Sequence, residues 1–197
     1  MGVVLCAALC AGALSACDGG PDPLVTETPS ISATPSSSSP SPSSTVTAEA
    51  DLLAQLPAEA KAEDLDGAIA TAEFFVELYG TMLQTGDTAL WDALSEEGCE
   101  FCQDGSDTAA SLHKQRTNVA GGDVTVDVRS TRANVAGDGF TYVGVVAQQD
   151  AITETAQDAS AIETSPQLVS GLILKVRFDG EKWVVSGVDK VEPGEIS

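Results

Sequence analysis

The chain has 197 residues and a mass of 20.1 kDa, with 43% hydrophobic, 20% charged and only 5% aromatic residues, enough for one ordinary domain and a tether. Thirty Asp and Glu stand against nine Lys and Arg, a formal charge of -21, and no basic stripe is present to displace counterions from a phosphate backbone. Nucleic acid is therefore not expected as a partner, and direct attraction to anionic lipid headgroups is disfavoured.

The run from Val3 to Ala16 is almost wholly apolar but falls short of the roughly 20 residues a helix needs to cross a hydrocarbon core, so residues 1–16 are read as a signal peptide. Only Met1 and Gly2 precede the run, and neither supplies the Lys or Arg of an n-region; a translation start a few codons upstream is expected. The run closes on Leu14-Ser15-Ala16-Cys17, which resembles the lipobox of bacterial lipoproteins, where small residues admit the signal peptidase and the Cys17 thiol takes the lipid. That resemblance places the chain on the outer face of the cell membrane, held by acylated Cys17. Cys6 and Cys10 leave with the signal peptide, so Cys99 and Cys102 are the only thiols of the folded part.

Residues 17–56 are read as the tether. Between Pro21 and Ala48, 20 of 28 residues are Pro, Ser or Thr, too polar to bury a core. As a coil about 40 residues long it would span roughly 35 Å, and at most about 120 Å if polyproline-like.

Residues 57–190 carry the periodic patterns, with 191–197 a short tail. Ile69, Ala72, Val76, Tyr79 and Leu83 recur at spacings of three and four, with Phe75 and Met82 beside them, which predicts a helix over 66–84 capped by Asp66 and stopped by Gly86 in a left-handed conformation. A short second helix over 88–94 carries Leu90, Trp91 and Leu94, and a third is expected from Ser106 to about Thr117, ended by Gly121-Gly122. From Asp123 the period changes to two. Val124, Val126 and Val128 alternate with polar residues, and after the turn at 136–139 a second strand runs over 140–148. Residues 149–167 are polar and acidic and are read as a solvated loop, with a mobile flap or a partner contact as alternatives. Strands over 168–178 and 182–188 form a hairpin about Asp179-Gly180, read as a two-residue turn that sets Phe178 opposite Glu181, Val176 opposite Trp183 and Leu174 opposite Val185. Three helices followed by a meander of about four strands predict an α+β domain with the helices packed on one face of a curved antiparallel sheet.

Gly67-Ala68, Phe74-Phe75, Thr85-Gly86-Asp87, Leu94-Ser95, Cys99-x-x-Cys102 and Trp183-Val184-Val185 together resemble a family of actinobacterial lipoproteins assigned to a domain of unknown function. The resemblance implies a cone-shaped fold similar to nuclear transport factor 2, with a long helix across a strongly bent sheet, and brings no catalytic residues.

Cys99-Glu100-Phe101-Cys102 has the spacing of a redox pair, but helices are expected on both sides of it rather than a strand and a helix. Outside the cytoplasm such a pair is oxidised, so a local structural disulfide is expected. Zinc would need two further ligands, and the single histidine, His113, sits beside Lys114 and Arg116; no metal is expected. One histidine, no G-x-S-x-G and no phosphate-cradling glycine loop leave little for catalysis, and no cofactor is expected. Acidic pairs such as Glu96-Glu97 and Glu73/Glu77 read as solvated faces. The aromatics are expected mainly in the core, where Trp183 shares a face with Leu174 and Val185 against the helix of Phe75 and Tyr79. Tyr79, Tyr142 and Trp183 are the candidates for lining a pocket. The expected role is a non-catalytic extracytoplasmic domain binding an envelope protein or a small apolar ligand, with an enzyme on a cone-shaped fold, or a thiol-disulfide protein using Cys99 and Cys102, as the alternatives.

Overall fold

The computed structural model describes residues 49–196. Cys17, the signal peptide and most of the tether lie outside them. Helix α1 is seen over residues 49–53, followed by a 3-10 turn at Glu59–Lys61, and then α2 (Leu65–Thr85), α3 (Ala89–Leu94) and α4 (Glu100–Lys114). The strands are β1 (Asn118–Gly121), β2 (Val124–Val126), β3 (Arg132–Val135), β4 (Thr141–Gln149), β5 (Ile152–Thr155), β6 (Ala161–Ser165), β7 (Leu168–Phe178) and β8 (Trp183–Val191). This is a mixed α+β fold with antiparallel sheets. The expected three helices on about four strands become, among the described residues, four α-helices with a three-stranded and a five-stranded sheet.

The domain starts earlier than composition indicated. Leu56 is buried, Leu52 and Leu53 pack against the core, and Glu49 pairs with Lys182, so residues 49–56 belong to the folded body. Helix α2 is capped by Asp64 rather than Asp66: the Asp64 carboxylate accepts a hydrogen bond from the Gly67 amide at 2.9 Å, the N3 donor that a cap serves. At the other end Gly86 adopts φ 71° and its amide donates to the Met82 carbonyl, as the pattern required. The buried face contains Gly67, Ala68, Thr71, Ala72 and Gly80 alongside Phe75, Val76, Met82 and Leu83; these small residues bring the helix close to its neighbours.

Helix α4 begins at Glu100, six residues before the expected cap. Cys99 is its N-cap, with Sγ accepting from the Cys102 amide at 3.3 Å, and the helix ends where Arg116 turns left-handed at φ 57°. Gly121 and Gly122 therefore end a strand, not a helix.

The five-stranded sheet has the order β2-β4-β7-β8, with β3 also paired to β4; the other has the order β1-β5-β6. The same three ribbons run through both. β1 leads into β2 through Gly121 and Gly122 (φ 76° and 82°), β4 into β5 through Asp150 and Ala151, and β6 into β7 through Pro166 and Gln167. At the break the Gly122 amide donates to Ala151 and the Asp150 amide to Asp123. Left-handed glycines and a proline stand where these ribbons pass from one sheet to the other. Residues 149–167, expected as a loop, are mostly the β5–β6 hairpin. Likewise Val128 lies beyond β2 and is exposed, because Asp127 to Ser130 form a turn before β3.

The β7–β8 hairpin departs from the expected register by two residues. Asp179 accepts from the amides of both Glu181 and Lys182, which widens the connection to four residues, so Phe178 pairs with Trp183 and Val176 with Val185. A bulge between Lys175 and Val176, where Ser186 on β8 is left unpaired, then sets Leu174 opposite Val188. A shift of two preserves the face, and Trp183 remains inward and 8% exposed. Its neighbours differ from those expected. The indole Nε1 donates to the Ala62 carbonyl at 2.8 Å and the ring meets Phe178 edge-on at 5.6 Å, at the N-terminal end of α2 rather than beside Phe75 and Tyr79.

The connection between α3 and α4 is fastened to the sheet edge. Ser95 bridges to Val185 in β8, the Glu96 amide donates to the Val185 carbonyl, and the Glu96 carboxylate accepts from Arg177 and Ser186. These hydrogen bonds, the Arg177 one foremost, hold the Glu96 carboxyl below its ordinary value. A depressed folded value contributes stability present above the ordinary carboxylate range and lost as pH falls through the folded value. Glu96→Gln is expected to lower the melting temperature modestly at pH 7, and the gap to the native chain should close as pH drops below about 4.5, the ordinary glutamate value. A gap that stays constant down to pH 3 would show that the carboxylate charge contributes nothing.

Candidate functional site

The inward rows of the five-stranded sheet follow from its register. Val143, Val145, Ala147 and Gln149 on β4 share a face with Leu168, Ser170, Leu172 and Leu174 on β7 and with Val188 and Lys190 on β8. The rows are dry at the end near Trp183 and become polar toward the break, at Gln149, Ser170 and Lys190. Over that polar end the helices bring four aromatic rings: Phe75 and Tyr79 from α2, Trp91 from α3 and Phe101 from α4. Phe75 stacks on Trp91 with centroids 3.9 Å apart and planes at 22°. Tyr79 lies 5.7 Å from Trp91 and 6.4 Å from Phe101.

Between rings and sheet lies a cavity of about 130 Å³, its walls completed by Val76, Val124, Ala147, Leu168 and Leu172, with Gln149, Ser170 and Lys190 as its polar members besides Tyr79. Burial pushes the Tyr79 phenol up. The Gln149 amide nitrogen is buried without a hydrogen-bond partner, and Lys190 forms no salt bridge among the described residues.

Trp91 is the keystone of the aromatic wall, and the disulfide fixes it. Cys99 and Cys102 are bonded, and the Cys102 carbonyl accepts the Trp91 indole N–H at 2.9 Å. The two cysteines are 1% and 2% exposed. The surface cleft over Cys102 is lined by Asp92, Glu96, Glu97 and Asp107, acids that disfavour a thiolate rather than the basic surroundings a reactive cysteine needs. Cys102→Ser, made with Cys99→Ser, is expected to cost about 1–2 kcal/mol in urea unfolding, small because the closed loop is short. A midpoint indistinguishable from that of the native chain would show that the bond constrains nothing.

Of the three residues singled out in the sequence, the structure puts Tyr79 in the cavity wall. Trp183 is at the far end of the sheet, bordering a shallow cleft with Leu65, Val135 and Phe140. Tyr142 points from the opposite face of β4, its hydroxyl donating to Asp138 at 3.1 Å. His113 is exposed and lies against Gly86. Among the described residues no group of three His, Cys, Asp or Glu is placed to hold a metal ion, and no helix is long and apolar enough to cross a membrane. Gln149 and Lys190 went unseen in the sequence, although the alternation Val143, Val145, Ala147, Gln149 carries its own signal: a polar residue at an inward position.

The architecture is thus that of helices packed on antiparallel sheets, with an aromatic-walled cavity between. The chain belongs to a family of unknown function, DUF6318, whose pattern matches residues 54–189. No curated protein matches it. Among solved structures it is similar to the intermembrane space region of the chloroplast protein ARC6 (10% identity over 66% of this chain and 97% of that one, TM-score 0.49). It is also similar to a nuclear transport factor 2-like superfamily protein from Salmonella enterica serovar Typhimurium (10% identity, 66% and 94%, TM-score 0.43) and to a periplasmic fragment of TraM (8% identity, 66% and 98%, TM-score 0.40).

Proposed function

We propose that the chain is a lipoprotein anchored to the outer face of the cell membrane through acylated Cys17, and that its folded part is a non-catalytic binding module whose cavity takes a small molecule with a largely apolar body. The anchoring rests on the Leu14-Ser15-Ala16-Cys17 sequence closing an apolar run too short to span, with a Pro/Ser/Thr tract behind it. The cavity carries the binding reading: its lining is predominantly aromatic and aliphatic with a few polar groups, the ordinary makeup of a small-molecule site. That lining includes neither a carboxylate nor an imidazole, which leaves Tyr79 and Lys190 as its only titratable groups. A cone-shaped fold like that of nuclear transport factor 2 is the finer reading of the architecture.

Two measurements test the two halves. Cys17→Ser is expected to move the protein from the membrane fraction to the soluble fraction and to abolish labelling by radioactive fatty acid; unchanged labelling would overturn the anchoring. Native mass spectrometry of the protein purified from its own host should show a retained small molecule. Its absence there, together with no binding of any ring-sized apolar compound in solution, would overturn the cavity as a site.

A further inference from the structure

The polar groups of the cavity are asymmetrically placed, and that asymmetry specifies a ligand. Ala147, Leu172, Phe75 and Trp91 enclose an apolar space, whereas Gln149 borders it on one strand and Lys190 on another. A buried amide nitrogen without a partner costs the desolvation of a donor, about 1–3 kcal/mol, so native structures rarely keep one unless something else satisfies it. The terminal amide turns about a broad, two-fold torsion, so a ligand seated beside it can supply the missing acceptor. Among the described residues only Arg177 and Lys182 pair with acids; Lys190 is unpaired and exposed and stands on the cavity side of β8, across from Leu172. A cation at the rim of an apolar cavity favours an anion there.

We infer that the cavity binds a small amphiphilic carboxylate, a single aromatic ring or an aliphatic body of that size whose carboxylate end is held by the Gln149 amide and the Lys190 ammonium. This rests on the cavity being a binding site and adds its chemistry. The size follows from the volume: apolar cavities of about 150 Å³ admit benzene, and this one, at about 130 Å³, takes one ring with its polar end at the opening. A stacked Phe75–Trp91 pair provides the wall against which a flat body lies.

The test uses the full chain, carrying Cys17→Ser to keep it in solution, and four probes that share one ring: 3-phenylpropionate, 3-phenylpropanol, 3-phenylpropylamine and propylbenzene, each titrated by calorimetry and by chemical-shift changes of the Trp91 indole N–H. The acid is expected to bind at least about tenfold more tightly than the amine and the alcohol, the scale of a charge-assisted hydrogen bond. Gln149→Leu should cut the ratio of acid to propylbenzene affinity about tenfold, and Lys190→Gln should erase the preference of acid over alcohol. Ser170→Phe, a substitution at a half-buried position, should fill the space and abolish binding of all four. Equal binding of acid and propylbenzene, or a ratio untouched by Gln149→Leu, overturns the carboxylate assignment and leaves the cavity as a site. If none of the four binds the chain, the cavity reading itself falls, and the carboxylate with it.

Discussion

Truncating Trp91 to Ala is expected to cost roughly 3–5 kcal/mol, the range for large aromatic deletions from a core. The side chain is 1% exposed, stacks on Phe75, touches the space above Gly105, where an added Cβ would stand 3.1 Å from the indole, and satisfies the Cys102 carbonyl. Removing it opens a void continuous with the existing cavity and takes the indole donor from a carbonyl that lies within α4. In a domain with about 5–15 kcal/mol of total stability, that loss should lower the melting temperature by about 10–15 °C. Trp91→Phe separates the two contributions, since it restores much of the volume without the N–H. A loss under about 1 kcal/mol for Trp91→Ala in urea unfolding would mean that the helices close over the gap, and that the aromatic wall is not what holds them apart from the sheet.

The second large effect comes from adding a single methyl group. Gly67 lies in α2, where replacing Gly by Ala ordinarily gains about 1 kcal/mol of helix propensity. Here a Cβ would sit 1.9 Å from the Ala62 carbonyl oxygen and 3.0 Å from the Trp183 Nε1 that donates to it. The obstruction is backbone, so it cannot be relieved by a rotamer change. Gly67→Ala should force the Ala62 peptide away, break the Trp183 hydrogen bond and cost roughly 2–4 kcal/mol, overpacking plus an unsatisfied indole N–H. Gly137→Ala, where nothing lies within 4 Å of the added atom, is the matched control and should be nearly neutral. A stabilised Gly67→Ala variant would mean that the segment of Ala62 is free to retreat and that Trp183 does not depend on it.

The parts of this fold that were legible in the sequence are those where one face of an element meets the core and the other meets water. Helix α2 announced itself through Phe75, Val76, Met82 and Leu83, β4 through the turn at 136–139 before it, and β7 through the Asp179-Gly180 turn after it. The β5–β6 hairpin stayed hidden because it has no dry face: Glu154, Asp158 and Glu163 are spread through it and none of its residues is buried, so its composition is that of a loop while its backbone is that of a sheet. The start of α4 was hidden for a different reason. A disulfide turn supplied the cap at Cys99, and such a cap looks like a linker to any reading that expects Ser, Thr, Asp or Asn. The hairpin register slipped because the Asp179 side chain captures two amides, a choice among local turn geometries that Asp-Gly alone does not disclose. The cavity followed suit: Tyr79 could be nominated from chemistry, but Gln149 and Lys190 become neighbours of Phe75 and Trp91 only when four strands and three helices are brought into register.

The break that runs through the three ribbons also divides the domain into regions of unequal cohesion. On one side, the five-stranded sheet rests on the helices and buries Val143, Val145, Leu174, Val176 and Val185. On the other, β1 contributes Val119 to the core and β5 packs only Ile152 against it, while β6 is held by its ladder of backbone hydrogen bonds. Amides in residues 152–165 should therefore exchange through local opening, at a free energy well below that of global unfolding. Leu168, the first residue past the break and half exposed, is also part of the cavity wall. Each fraying of the β5–β6 hairpin loosens that residue, so motion at this edge of the cavity follows the least stable piece of the fold rather than the aromatic wall opposite.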